Sequence, residues 1–147
     1  VVLDHNHAKR GILGFAPPSW DTLPFQKTCK GWTASGRILI FQFKIEPPKV
    51  KLFLTLGPGS NHIRQAVFNI LHSSSVEGLV NHQPSPTDSW NAVISRRVSE
   101  ALDPEVPEDS LDLVAQDLRD FWDTFLQEEL PHIVEVISSG MSAIDSP

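Results

Sequence analysis

The stretch GRILIFQFKIEPPKVKLFLTLGPGSNHIRQAVFNIL, residues 36–71, carries the clearest structural pattern of the chain. Over residues 37–46 every second side chain from Leu39 to Ile45 is apolar, and the other side turns polar after Ile40. Residues 49–56 repeat this two-residue period, with Phe53 among the polar positions, as expected for strands with one buried face. Pro47 and Pro48 between these runs lack the N–H group that a sheet ladder needs, so they mark a turn. The stretch therefore predicts an antiparallel hairpin at residues 37–56.

The pattern changes to that of a helix after Gly57-Pro58-Gly59. Either Ser60 or Asn61 can cap the start of this helix with its side-chain oxygen. Apolar residues then recur at the three- and four-residue spacing of one helix face: Ile63, Ala66, Val67, Ile70 and Leu71.

The remaining chain predicts one more strand and two more helices. Residues 11–16 read as a strand, and residues 17–36 as a long connection anchored by Trp20, Phe25 and Trp32. A helix is predicted after Ser89, with an apolar face made of Trp90, Val93, Ile94, Val98, Ala101 and Leu102. The longest helix is predicted from Ser110 to Pro131, with a buried stripe made of Leu111, Val114, Ala115, Leu118, Phe121, Trp122, Phe125 and Leu126.

This order of elements predicts one α+β domain over residues 1–147. A small antiparallel sheet, formed by the hairpin 37–56 and an N-terminal strand, is expected to pack against three C-terminal helices. The same expectation applies if the chain is a C-terminal fragment of a longer protein.

Composition favours an ordinary globular domain. The chain has 147 residues, of which 40% are hydrophobic, and no apolar run approaches the roughly 20 residues needed to cross a bilayer. Cys29 is the only cysteine, so neither an intrachain disulfide nor a cysteine-based zinc site can form. We expect a cytoplasmic protein.

Charge is divided unevenly along the chain. Residues 1–75 hold nine Lys or Arg against three Asp or Glu, giving +6, whereas residues 76–147 hold three against fifteen, giving −12. The basic half could contact DNA. The acidic half reads either as a solvated helix surface or as a protein-binding surface on which Asp117, Asp120 and Asp123 are the candidate contact residues.

The glycine-containing junction before the first helix is a candidate phosphate site. Free N–H groups at a helix start attract anions, and Ser60, Asn61, His62 and Arg64 could contribute. However, the sequence has neither the Walker spacing nor the dinucleotide-binding spacing, and Pro58 removes one N–H group. A tight turn between strand and helix is the favoured interpretation.

A magnesium-dependent nuclease site is a weaker alternative. Asp21, Gln42, Glu46 and Lys44 can be fitted to the PD-(D/E)XK pattern, in which carboxylates bind Mg²⁺. Gln42 carries no negative charge, which favours a strand whose outer face simply becomes polar. Neither a resident metal nor a cofactor is expected, and the sequence 4–7, DHNH, reads as incidental polar sequence.

Three segments resemble the C-terminal region of bacterial PD-(D/E)XK-superfamily nuclease-like proteins. They are AKRGILGFAPPSWDTLP (8–24), GWTASGRILIFQF (31–43) and LFLTLGPGSNHIRQAVFNIL (52–71), so the resemblance spans about residues 8 to 71. In such proteins the metal-binding carboxylates belong to an upstream core. The resemblance therefore implies an accessory domain without its own active site, which positions that core or contacts nucleic-acid phosphates.

Two other functions remain open at this point. One is a protein-binding module of the immunity or inhibitor type that uses the acidic helices. The other is the divergent Mg²⁺ nuclease. Whether the chain is an enzyme is not decided by the sequence, although activity in this chain alone is the weaker expectation. DNA, another protein and an upstream nuclease core are the candidate partners.

Overall fold

The computed structural model describes residues 1–4, 11–29, 31–80, 86 and 89–142. It shows an α+β chain whose antiparallel sheet has five strands in the order β1-β2-β3-β4-β5, with each strand pairing with the next in sequence. The first strand is only three residues long, so four strands form the body of the sheet. The strands are β1 (Val2–Asp4), β2 (Ile12–Ala16), β3 (Leu39–Glu46), β4 (Lys49–Leu56) and β5 (Asn91–Ser99).

The predicted hairpin is confirmed. Strands β3 and β4 pair over their full length, from Glu46 opposite Lys49 to Leu39 opposite Leu56. The alternation separates an inner face, which packs against the helices, from an outer face. Inner-face side chains include Phe41 opposite Leu54.

The second predicted helix is wrong, because its residues form strand β5. Pairing with β4 skips Val93 and Val98, which produces two irregularities of the β-bulge type. Each extra residue shifts the alternation by one position, so Val93 and Ile94 are both buried, as are Val98 and Ser99. The resulting pattern, Val93, Ile94 and Val98, imitates helical spacing in the sequence.

Two helices cover the inner face in the described part of the chain, not three. The first is α1 (Asn61–His72), and the second is one continuous C-terminal helix of 36 residues. The latter consists of α2 (Pro107–Thr124), a π-helical segment (Phe125–Glu129) and α3 (Leu130–Ser142). None of the described helices is long and apolar enough to span a membrane.

The π-helical segment explains why Pro131 does not end the C-terminal helix as predicted. The N–H group of Leu130 donates to the carbonyl oxygen of Phe125, five residues earlier. A wider turn of this kind accommodates one extra residue, and a change in the hydrogen-bond ladder is where a helix tolerates proline. The buried residues show the same five-residue step. The next buried residue after Phe125 is Leu130, and Ile133, Ile137 and Met141 then follow at ordinary helical spacing.

An aromatic cluster joins the sheet to the C-terminal helix. The ring of Phe41 stacks on Phe15 and on Trp20, with centroid distances of 5.2 and 5.6 Å. Phe125 meets the same ring edge-on at 5.5 Å. Trp20 and Phe25 are both fully buried, which confirms them as anchors of the long connection. These rings fix the helix against β2 and β3.

The Gly57-Pro58-Gly59 junction is shaped by packing. The N–H group of Gly57 donates to the carbonyl oxygen of Ile38 at 2.7 Å, and a Cβ at Gly57 would overlap the indole ring of Trp32. A Cβ at Gly59 would overlap Cδ1 of Ile38. Both glycines therefore make room for apolar side chains.

We expect Gly57→Ala to lower the free energy of unfolding by about 2 kcal/mol, because the Trp32 ring must move to admit the methyl group. Urea denaturation measures this change. Gly59→Ala is the matched control and should cost less, since its methyl group meets only the flexible end of Ile38. Equal stability of Gly57→Ala and the parent chain would contradict this account of the junction.

Candidate nucleic-acid interface

The residues predicted to bind phosphate do not form one cradle. Ser60 precedes α1 without making a side-chain cap, and Asn61 and His62 are exposed in the first turn. Arg64 is instead buried, and its guanidinium donates to Oδ1 of Asn91 in β5 at 2.7 Å. The structure thus separates Arg64 from the exposed helix start, where its role was predicted.

Asp21 has a structural partner. Its carboxylate accepts two hydrogen bonds from the buried Arg37, at 2.8 Å each. These bonds lower the pKa of Asp21 below its ordinary value; partial burial opposes the change, and the charges of Arg37 and Lys27 reinforce it. The ion pair ties the connection at residues 17–36 to the chain just before β3.

The four residues of the nuclease alternative are not brought together. Arg37, which holds Asp21, precedes Lys44 by seven residues, or about 23 Å of extended chain. Gln42 is buried and accepts a hydrogen bond from the Thr55 hydroxyl at 2.9 Å. Glu46 is exposed at the far end of β3. These residues do not fit a shared Mg²⁺ site.

A row of three cations crosses the outer face of the sheet. Lys44 in β3 lies directly opposite Lys51 in β4, and Lys51 lies directly opposite Arg97 in β5. In the described part of the chain, no carboxylate pairs with Lys44 or Lys51, whereas Arg97 reaches Glu100 at 3.1 Å. Both side chains of this ion pair are exposed, so water strongly screens the attraction between them.

An aromatic side chain lies beside this cationic row. Phe53 follows Lys51 by two positions on the same face of β4, and the Lys44 ammonium lies 5.1 Å from its ring centroid. The ring is half-buried, and Ser95 stands opposite it in β5. Together, Lys44, Lys51, Arg97 and Phe53 offer positive charge and a stacking surface. Proteins that bind single-stranded nucleic acid use both features: positive charge contacts the phosphates, and aromatic rings stack on the bases.

The acidic candidates for partner binding divide into two groups. Asp117 is half-buried and accepts a hydrogen bond from the Ser99 hydroxyl at 2.7 Å, so it ties α2 to β5. Asp120 and Asp123 are exposed on the C-terminal helix, and Asp120 accepts a hydrogen bond from Gln116 at 2.8 Å. Only the latter two aspartates face solvent freely enough to meet a partner.

The sequence does not single out Lys51 and Phe53 as interface residues, although the two-residue period of the hairpin is the signal that could have found them. It allows a phosphate contact by Arg96 and Arg97, with an exposed helix face as the alternative interpretation. Arg97 cannot be joined to Lys44 and Lys51 from the sequence, because the residues of β5 read as a helix.

Comparisons with protein-family models, with curated proteins and with solved structures found no match. Over the residues that the structure describes, no three His, Cys, Asp or Glu side chains form a group suited to a metal ion. His5 and His7 of the DHNH sequence lie outside those residues.

We expect Asp21→Asn to lower the free energy of unfolding at neutral pH by about 2 kcal/mol, because the buried Arg37 loses its charged partner. A lowered folded-state pKa gives stability that is present above about pH 4 and is lost as the pH falls through the folded value. The difference between variant and parent should therefore shrink in acid. Urea denaturation at several pH values measures it.

Asp120→Asn is the control for this test, since Asp120 is exposed and its substitution should change stability little at any pH. An Asp21→Asn deficit that stays constant down to acid pH would contradict the assigned role of the ion pair.

Proposed function

We propose that this chain is a non-catalytic accessory domain of a PD-(D/E)XK nuclease-like protein, and that it contacts nucleic-acid phosphates through the outer face of its sheet. The observation that carries the proposal is the row of Lys44, Lys51 and Arg97 across three adjacent strands. The sequence resemblance supports the proposed family, and the row of cations supports the proposed surface.

Such a row has a cost for the fold. Like charges directly opposite each other in an antiparallel pair destabilise the sheet, by roughly 0.2–1 kcal/mol per pair. Here Lys51 faces a cation on both sides. A bound phosphate is attracted by each of these cations, and its negative charge reduces the repulsion between them. The arrangement therefore favours binding of phosphate.

The expected binding is electrostatic and indifferent to sequence. Neighbouring strands of a sheet lie about 4.8 Å apart, so the three cations form a line across the sheet. A nucleic-acid backbone can lie along this line. Phe53 offers a ring face next to the line, and stacking on an aromatic ring is worth about 1–3 kcal/mol per base. Single-stranded nucleic acid gains from both terms.

We expect the purified chain to bind single-stranded DNA and duplex DNA with an affinity that falls steeply as salt rises. Lys51→Gln should reduce the slope of log K against log salt by about 1, because one phosphate contact is lost. The same variant should unfold at slightly higher urea, because the repulsion is relieved. Fluorescence anisotropy over a salt series measures binding.

Arg119→Gln provides the matched control, since it removes one positive charge from the exposed side of the C-terminal helix, away from the outer face. Phe53→Ala should weaken single-strand binding more than duplex binding. An unchanged salt slope in Lys51→Gln would overturn the proposed surface. Mg²⁺-dependent cleavage that disappears in Lys44→Ala would overturn the non-catalytic assignment.

A second candidate function is protein binding through the C-terminal helix. Leu111, Leu118 and Leu126, expected to be buried, are 54%, 38% and 37% exposed. Leu118 and Leu126 lie one turn before and after Trp122, which packs on Phe15, so the leucines border the aromatic cluster. Exposed Asp120 and Asp123 lie on the same helix, about 200° and 140° around it from Leu118. An exposed apolar stripe on a helix that also carries carboxylates fits a basic amphipathic partner helix.

For this second function, Leu118→Ser should weaken binding of a model helical peptide made of leucine and lysine, measured by calorimetry. Leu113→Ser is the control, because Leu113 is also exposed but projects about 200° around the helix from Leu111. Neutralising Asp120 and Asp123 together should weaken binding less than Leu118→Ser does, because both carboxylates lie on the other side of the helix and act only through long-range charge. Equal effects of the two serine variants would argue against this surface.

A further inference from the structure

A cavity of about 440 Å³ lies between the inner face of the sheet and the C-terminal helix, on the side of the sheet that faces away from the cationic row. This volume is in the range of small-molecule sites. Its floor is apolar and buried, and is formed by Phe41, Leu52, Leu54, Ile94, Phe125 and Ile133.

The mouth of the cavity carries an excess of negative charge. Glu77, Glu128 and Glu129 line it together with one arginine, Arg96, so three carboxylates stand against one guanidinium. Arg96 forms ion pairs with Glu129 and, at 3.7 Å, with Glu77. In the described part of the chain, no cation or hydrogen-bond donor pairs with Glu128.

The π-helical segment contributes to both the floor and the mouth of this cavity. Phe125, its first residue, lies in the floor, while Glu128 and Glu129 lie at the mouth. On the next turn His132 completes the rim, with its Nε2 atom 3.4 Å from the Ser75 hydroxyl. A helix turn widened by one residue is a costly feature that is frequent at functional sites.

We propose that this cavity binds a small organic cation, in which a primary ammonium, amidinium or guanidinium group is carried on an apolar body. The apolar body occupies the buried floor, where it meets the rings of Phe41 and Phe125. The cationic head remains at the mouth, next to Glu128 and Glu129, where the site already has an unbalanced negative charge. An anionic head of the same size would meet that charge and be rejected.

Three probes that share one body and differ in the head test this proposal: benzylammonium, benzyl alcohol and benzoate. Titration of the full chain is followed by methyl NMR, with Ile94 and Ile133 as reporters in the floor. We expect saturable shifts at these methyl groups with benzylammonium, an affinity about tenfold lower with the alcohol, and no binding of benzoate.

Glu128→Gln should weaken benzylammonium binding several-fold and leave binding of the alcohol unchanged. Glu135→Gln is the matched control, because Glu135 is exposed on α3 and is not part of the cavity lining. Benzoate binding as tight as benzylammonium, or loss of affinity in both glutamine variants alike, would overturn the proposal. The absence of saturable shifts with all three probes would also overturn it.

Discussion

The stacking of aromatic rings on Phe41 is the interaction on which the rest of the structure depends. This ring receives Phe15 from β2, Trp20 from the long connection and Phe125 from the C-terminal helix. Aromatic pairs of this geometry add about 0.5–1.5 kcal/mol each beyond the area that they bury. Elements far apart in sequence therefore meet at one side chain. The connection between β2 and β3 keeps its position although its described residues form no strand and only one short 3-10 helix, Pro18–Thr22.

Because both helices of the described residues pack on the inner face, the two faces of the sheet have different environments. The inner face is occupied by rings and branched side chains, and its remaining space is the cavity beside the π-helical segment. On the outer face Ile40 and Gln42 are buried as well, whereas Lys44 and Lys51 are half-buried and Arg97 is exposed. The hairpin separates these environments, since neighbouring residues of a strand point to opposite faces.

The sequence predicts the hairpin and α1 well because their periodicity is local. Phe43 and Ile45 alternate with polar neighbours, and Ile63, Val67 and Leu71 repeat at helical spacing. Strand β5 could not be recognised, since its two bulges break the alternation, and the pairing that creates them involves a distant strand. The same holds for the candidate site. The hairpin pattern in the sequence places Lys44 and Lys51 on one face, but Arg97 joins them only through the pairing of β4 with β5.

The π-helical segment gives the C-terminal helix two phases. Residues before Phe125 meet the sheet in one register and residues after Leu130 meet it in another, offset by the single extra residue. The wide turn absorbs that residue, so the buried positions before and after it stay on one face of the helix. Loss of one residue there would bring Phe125 and Leu130 to the ordinary spacing of four, and α3 would keep its buried face on the core. The extra residue therefore alters only the turn Phe125–Glu129, which is the part of the helix that borders the cavity.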